Sequence, residues 1–299
     1  RILNYAFDAR VKEVSFESTV SFERDAFSQA VLLRNINLKI LDFIPTSNFD
    51  LAYVYRKAGN VLSKLTVTSS KTLQEIFGAE TPTNLKEVEI IEQNDYIAEG
   101  MFRNCKYIET VRFDTSIREI RNDAFSGAIA LKNVYIKSHA SPENELNVIG
   151  KNAFYGASAL ANFYISDESD PEVMVPGMPT TINSIGQDAF YGTKWLLNKP
   201  SGLVIIGDGI VYTYKQSISL STVVMIPTNV KKVMDKAFYG NTHITHVIPE
   251  DITNSNWKVV GVSAFSNCDS LEAVVLPSGF ERIENYAFEN STKLGTLVI

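Results

Sequence analysis

The dipeptide Ala-Phe returns along this chain in nearly the same setting: "RNDAFSG" at 121–127, "KNAFYG" at 151–156, "QDAFYG" at 187–192, "DKAFYG" at 235–240 and "NYAFEN" at 285–290. Aligned on the aromatic residue, the slot holds Phe7, Phe27, Phe49, Phe102, Phe125, Phe154, Phe190, Phe238, Phe265 and Phe288. Five positions earlier stands an apolar residue, among them Ile97, Ile120, Ile149, Ile185, Val233, Val260 and Ile283. Further upstream comes an apolar-x-apolar triplet such as "VEI", "VRF", "VYI", "FYI" or "VVL". In the tightest copies its first residue precedes the Phe by fourteen positions, as from Val88 to Phe102 or Val274 to Phe288. Such self-similarity confines the chain to a repeat array in which each copy buries its apolar side against its neighbours.

The base period is 23 residues, and a degenerate copy around 65–80 that has lost its Phe brings the total to about eleven repeats. A period in the twenties built around one alternating triplet predicts a leucine-rich-repeat solenoid, β-rich within the α/β class and wound as a curved right-handed stack. Each triplet is a short strand whose outer residues point inward and whose middle residue points out. Stacked strands about 4.8 Å apart make a parallel sheet on one face, with columns of outward side chains. At the far corner Phe fills the core, and Ala leaves room for the Phe stack of adjacent coils. The register is least regular at 28–85. The spacing swells elsewhere, which predicts insertions at about 138–147, 166–181, 193–220 and 249–257. "SDESDPEVMVPGMPTT" is expected to be an exposed loop, and "GLVIIGDGIVYTY" a hairpin about its Gly-Asp-Gly turn.

The pattern "LKNVYI…LNVIGKNAFYGASAL" resembles the BspA-like leucine-rich repeats of bacterial surface proteins. "TKWLLNKPSGLVIIGDGIVYTYKQ" also looks like a segment seen within that family. The resemblance covers essentially all of residues 1–299, read as a single leucine-rich-repeat domain and a fragment of a longer chain. It implies a secreted or surface-anchored protein, extracellular or on the cell surface. Its role would be adhesion to host matrix or plasma proteins, or to another cell-surface protein.

The net charge of −6 argues against a phosphate-binding surface, so no nucleic-acid partner is expected. Apolar runs such as "GLVIIG" are too short to span a bilayer. Cys105 and Cys268 occupy the slot three residues after Phe, which elsewhere holds Ala30, Ala128, Ala157, Thr193, Asn241 and Ser291. Both are therefore expected to be buried filler rather than a disulfide. His243 and His246 in "HITH" lack a third metal ligand, and the acidic trio Asp167, Glu168 and Asp170 lacks the order of an EF-hand. No catalytic residue, metal site or cofactor is expected.

What remains is the sheet face. Its middle column reads Ser15, Asn37, Thr66, Glu89, Arg112, Tyr135, Tyr164, Met225, Ile248, Val275 and Val298. The residue before each triplet also points outward, giving Glu87, Thr110, Asn133, Asn162, Val223, His246 and Ala273. Glu89 beside Arg112 predicts a cross-strand ion pair. Tyr135 beside Tyr164, flanked by Asn133 and Asn162, is either a stiffening ladder or a ligand contact, since Tyr offers apolar area and a hydroxyl at low entropy cost. The stripe Met225, Ile248, Val275 and Val298 is a binding patch, a docking face, or ground covered by the 193–220 hairpin with Trp195, Leu196 and Leu197. The expected function is non-catalytic recognition of a protein partner, with a glycan as the second class of ligand. The alternatives are a structural spacer or a carbohydrate-binding accessory domain of a larger protein.

Overall fold

The computed structural model describes residues 2–16, 29–30, 32–38, 64–67, 85–90, 96–113, 117–137, 145–166, 173–216 and 222–299. The first stretch of chain contributes β1 (Glu13–Phe16), β2 (Asn35–Leu38), β3 (Lys64–Val67), β4 (Glu87–Ile90), β5 (Tyr96–Ile97) and β6 (Thr110–Phe113). It continues with β7 (Glu119–Ile120), β8 (Asn133–Ile136), β9 (Val148–Ile149), β10 (Asn162–Ser166), β11 (Met174–Pro176), β12 (Ser184–Ile185) and the short helix α1 (Lys194–Leu197). The rest is β13 (Gly202–Ile206), β14 (Ile210–Lys215), β15 (Thr222–Ile226), β16 (Lys232–Val233), β17 (Ile244–Pro249), β18 (Val259–Val260), β19 (Ala273–Val275), β20 (Arg282–Ile283) and β21 (Thr296–Val298). Two compact units result, Arg1–Pro179 with Ile185–Asn198, and Thr180–Ser184 with Lys199–Ile299.

In the first unit a sheet runs in the order β1-β2-β3-β4-β6-β8-β10-β11. All its pairings are parallel except that of β10 with β11. The ladder places Ser15, Asn37, Thr66, Glu89, Arg112, Tyr135 and Tyr164 in one register, straight through the irregular 28–85 region. Alternation follows from the pleat: β4, β6 and β8 each bury their second and fourth residues and leave the first and third part-exposed. A second, shorter ladder, β5-β7-β9, stacks the apolar residue five before Phe, with Ile97 beside Ile120 and Ile120 beside Ile149.

The Ala-Phe corner is a third ladder. Phe102 N–H donates to Ala124 O at 2.6 Å, Phe125 N–H to Ala153 O at 2.6 Å, and Phe154 N–H to Ala189 O at 2.7 Å. Inside it the rings stack: Phe102 on Phe125 at 4.7 Å, Phe125 on Phe154 at 4.9 Å and Phe154 on Phe190 at 5.5 Å, all within 8° of parallel. Alanine precedes the ring in the inner coils, where Ala124, Ala153 and Ala189 are fully buried between hydrogen-bonded neighbours, while the buried Met101 holds that place before Phe102. Trp195 of α1 packs on Phe190 and Phe163, and Thr193 caps the helix by accepting from Leu196 N–H at 3.2 Å.

The second unit repeats the scheme. β15-β17-β19-β21 form the face, and β14-β16-β18-β20 form the second ladder, with β13 antiparallel on β14. The hairpin is present, and it takes the place of a coil rather than standing out as a loop. Tyr214 N–H donates to Ala237 O at 2.7 Å, and its ring stacks on Phe238 at 5.3 Å, as a preceding Phe would.

Two expectations change. Where about eleven repeats were counted, the described residues build about eight turns, because the remainder of the coils begun by β1, β2 and β3 lies outside them. The 166–181 insertion is not wholly a loop: β11 returns antiparallel along β10, pairing Tyr164 with Pro176 and Ser166 with Met174. A proline suits that position because it offers no N–H at a sheet edge. Residues 167–172, with Asp167, Glu168 and Asp170, fall outside the described residues, as do the Phe27 and Phe49 slots. Both cysteines are free and buried, and burial pushes the Cys105 thiol up to about 12 and the Cys268 thiol up to about 11.

Candidate functional site

Four consecutive strands, β4, β6, β8 and β10, hold the candidate residues in two parallel rows. One row is Glu87, Thr110, Asn133 and Asn162; the other is Glu89, Arg112, Tyr135 and Tyr164. Both are consequences of the period-2 pleat combined with one coil of rise per repeat. The structure thus brings together Arg112, Tyr135, Tyr164, Asn133 and Asn162.

The pairing of charges differs from the sequence reading. Arg112 Nε donates to Glu87 Oε1 at 2.8 Å, one row across, while Lys64 Nζ lies 2.8 Å from Glu89 Oε2. The cause is the ring beside Arg112. Its guanidinium lies over Tyr135, with Cζ 3.9 Å from the ring centroid, and from that position Nε reaches Glu87. Tyr135 stacks on Tyr164 with centroids 4.5 Å apart and planes 9° from parallel. Pro176 is the ladder partner of Tyr164 on the far side. Both faces of Tyr135 are therefore occupied, and the stack presents ring edges outward. Along the other row Asn162 Nδ2 donates to Asn133 Oδ1 at 2.9 Å.

Beside the asparagines the surface dips into a shallow groove of about 530 Å³. Lys132, Asn133, Ser158, Asn162 and Lys194 line it together with two alanines. Lys132 Nζ lies 2.6 Å from Glu109 Oε2, and Lys86 Nζ lies 3.4 Å from the other oxygen of that carboxylate. The Lys132 hydrogen bond is the main reason the Glu109 carboxyl sits below its usual range. Lys132, Ser158 and Lys194 escaped the sequence reading. Their signal was there, since Ser158 and Lys194 share the slot four residues after Phe and Lys132 immediately precedes Asn133. Only the coil geometry brings that slot beside the strand row.

A second exposed aromatic pair was also missed. Tyr155 and Tyr191, each following a corner Phe, stack at 5.2 Å.

In the second unit Met225 pairs with Ile248, and Val275 with Val298. Met225 is 50% exposed, Val298 44% and Val223 53%, with His246 between Val223 and Ala273 in the neighbouring row. Within the described part of the hairpin, β14 pairs with β16 in the other sheet. Trp195 is engaged with the Phe stack of the first unit. Among the described residues no group of three or more His, Cys, Asp or Glu is placed to hold a metal ion, and no helix is long and apolar enough to cross a membrane.

Comparison with known proteins agrees with this architecture. The family model described as "BspA type Leucine rich repeat region" matches residues 74–170 and 176–297 in six copies. None of the curated proteins compared with the sequence matches it. Among solved structures, a leucine rich cell surface protein from Faecalibacterium prausnitzii is 17% identical, with 99% of this chain and 82% of that one covered and a TM-score of 0.33. The pneumococcal vaccine antigen PcpA is 14% identical over 99% of this chain and 74% of its own, with a TM-score of 0.37. A leucine-rich repeat protein from Bacteroides ovatus is 17% identical over 99% and 76%, with a TM-score of 0.35.

Proposed function

The chain belongs to the BspA-type leucine-rich repeat family, and on that premise we propose that it is a recognition scaffold that binds a protein partner through the face bearing Arg112, Tyr135 and Tyr164. The observation that carries the proposal is the Arg112–Tyr135–Tyr164 stack on a parallel sheet, with the Asn133–Asn162 pair beside it. Side chains already held by stacking and cross-strand hydrogen bonds lose little freedom on binding, so more of the contact energy appears as affinity. Tyr and Arg are also the residue types that most often anchor interfaces.

The occupied ring faces favour a protein over a glycan. A sugar ring binds by lying against an open aromatic face, and Tyr135 has none, whereas ring edges and hydroxyls suit a polypeptide surface. The reading is of binding without catalysis, carried out outside the cell against a host matrix or plasma protein or another cell-surface protein. The stack also supports the spacer reading, since it stiffens the sheet whether or not anything binds.

Capture separates the two. Immobilised wild-type chain and a folded Tyr135→Ala/Tyr164→Ala variant are exposed to plasma and matrix extract, and retained proteins are identified. A protein held by the wild type and released by the variant is the expected result. Retention by neither, with both folded, would leave the spacer as the better account.

A further inference from the structure

We propose that the groove beside the asparagine pair seats a short acidic polypeptide segment of the partner, an inference that rests on the recognition reading above. The first ground is charge. Lys86 and Lys132 share the single carboxylate of Glu109, so that cluster retains one positive charge, and Lys194, which also lines the groove, adds another. No carboxylate lines the groove. In a chain of net charge −6 this is a local reversal of sign. Opposite charges set across a docking surface steer encounter and fix register.

The second ground is hydrogen-bonding capacity. The Asn162 to Asn133 bond uses one N–H of Asn162 and one lone pair of Asn133, so both amides keep donors and acceptors to offer. Donors and acceptors side by side on neighbouring coils match the C=O and N–H groups of an extended peptide. The charge density of a sulfated or phosphorylated chain calls for many more cations than this groove provides. The third ground is continuity, because Asn133 and Asn162 belong both to the groove and to the tyrosine face. An acidic segment here extends the same footprint.

Lys194 is the residue to change. It is exposed on α1, so Lys194→Glu keeps the fold. The test titrates the full chain with hexaglutamate, capped at both ends, and follows Trp195 fluorescence from the adjoining position in α1. Saturable binding that weakens with added salt is expected, with a loss of about fivefold or more in Lys194→Glu, the effect of reversing one charge at an interface rim. Equal binding by wild type and Lys194→Glu would overturn the proposal. So would tighter binding of a sulfated oligosaccharide that depends on the same lysine. Ser158→Phe, which fills the groove without altering charge or adding a tryptophan, must also abolish hexaglutamate binding; if it does not, the lysines act outside the groove and the assignment fails. If hexaglutamate fails while the Tyr135→Ala/Tyr164→Ala variant still loses its captured partner, only the acidic-segment inference falls.

Discussion

Removing the ring of Phe125 takes away two stacking partners, Phe102 and Phe154, and an edge contact with Phe113, from a site with no solvent exposure. Phe125→Ala should cost about 3–5 kcal/mol, because coils tied by backbone hydrogen bonds on both sides cannot collapse into the cavity. Tyr135→Ala loses an exposed stack and a cation–π contact, and should cost about 1 kcal/mol. Chemical denaturation of the two variants decides this, and near-equal losses would contradict the assignment of one ring to the core and the other to the face. The cysteines give a prediction of opposite chemistry. Both thiols stay protonated when folded to about 12 and about 11, against an ordinary 9.0, so the unfolded chain releases protons that the folded chain holds. Their contribution to stability is whole below pH 9 and is lost as pH rises through that window. A Cys105→Ala/Cys268→Ala variant should show a shallower fall in stability between pH 9 and 11 than the wild type, measured by denaturant titration at each pH. Parallel curves would contradict it.

At the scale of elements, closeness between coils is the governing quantity. A Cβ at Gly186 would stand 2.2 Å from the backbone N of Lys151 in the preceding coil, so Gly186→Ala must push two coils apart. A loss of about 1–3 kcal/mol in thermal or chemical unfolding is expected; an unchanged midpoint would mean the coils have slack. The face strands and the Phe corner were legible because their signal repeats: Val111, Val134 and Phe163 are buried where the triplet rule puts them, and Tyr135 and Tyr164 share a register. What broke the period was not legible. The 193–220 segment contains strand-forming residues, but nothing in their order says that Tyr214 stands in for a corner Phe. Met174–Pro176 looked like loop because its prolines and acidic neighbours are turn formers, and its pairing with β10 is a tertiary choice. Arg112 passed over the adjacent Glu89 for Glu87 because stacking on Tyr135 fixes its reach, a preference among three neighbours that spacing does not rank.

For the whole molecule, the proposed function rests on a division of labour between surfaces built from the same repeat. The strand face carries arginine, paired tyrosines and paired asparagines, and it continues into the lysine groove. The corner carries its own exposed stack, Tyr155 on Tyr191, of similar composition but without the asparagine row. That pair supplies an internal control, since Tyr155 and Tyr191 are more exposed than Tyr135 and Tyr164 and their removal deletes at least as much exposed aromatic surface. The most direct test is a set of binding isotherms for the captured partner against wild type, Tyr135→Ala/Tyr164→Ala and Tyr155→Ala/Tyr191→Ala, all confirmed folded. The strand-face variant should lose at least about tenfold in affinity, as expected for two central anchors, while the corner variant binds as wild type does. Loss confined to the corner variant, or equal binding by all three, would contradict the assignment of recognition to the strand face.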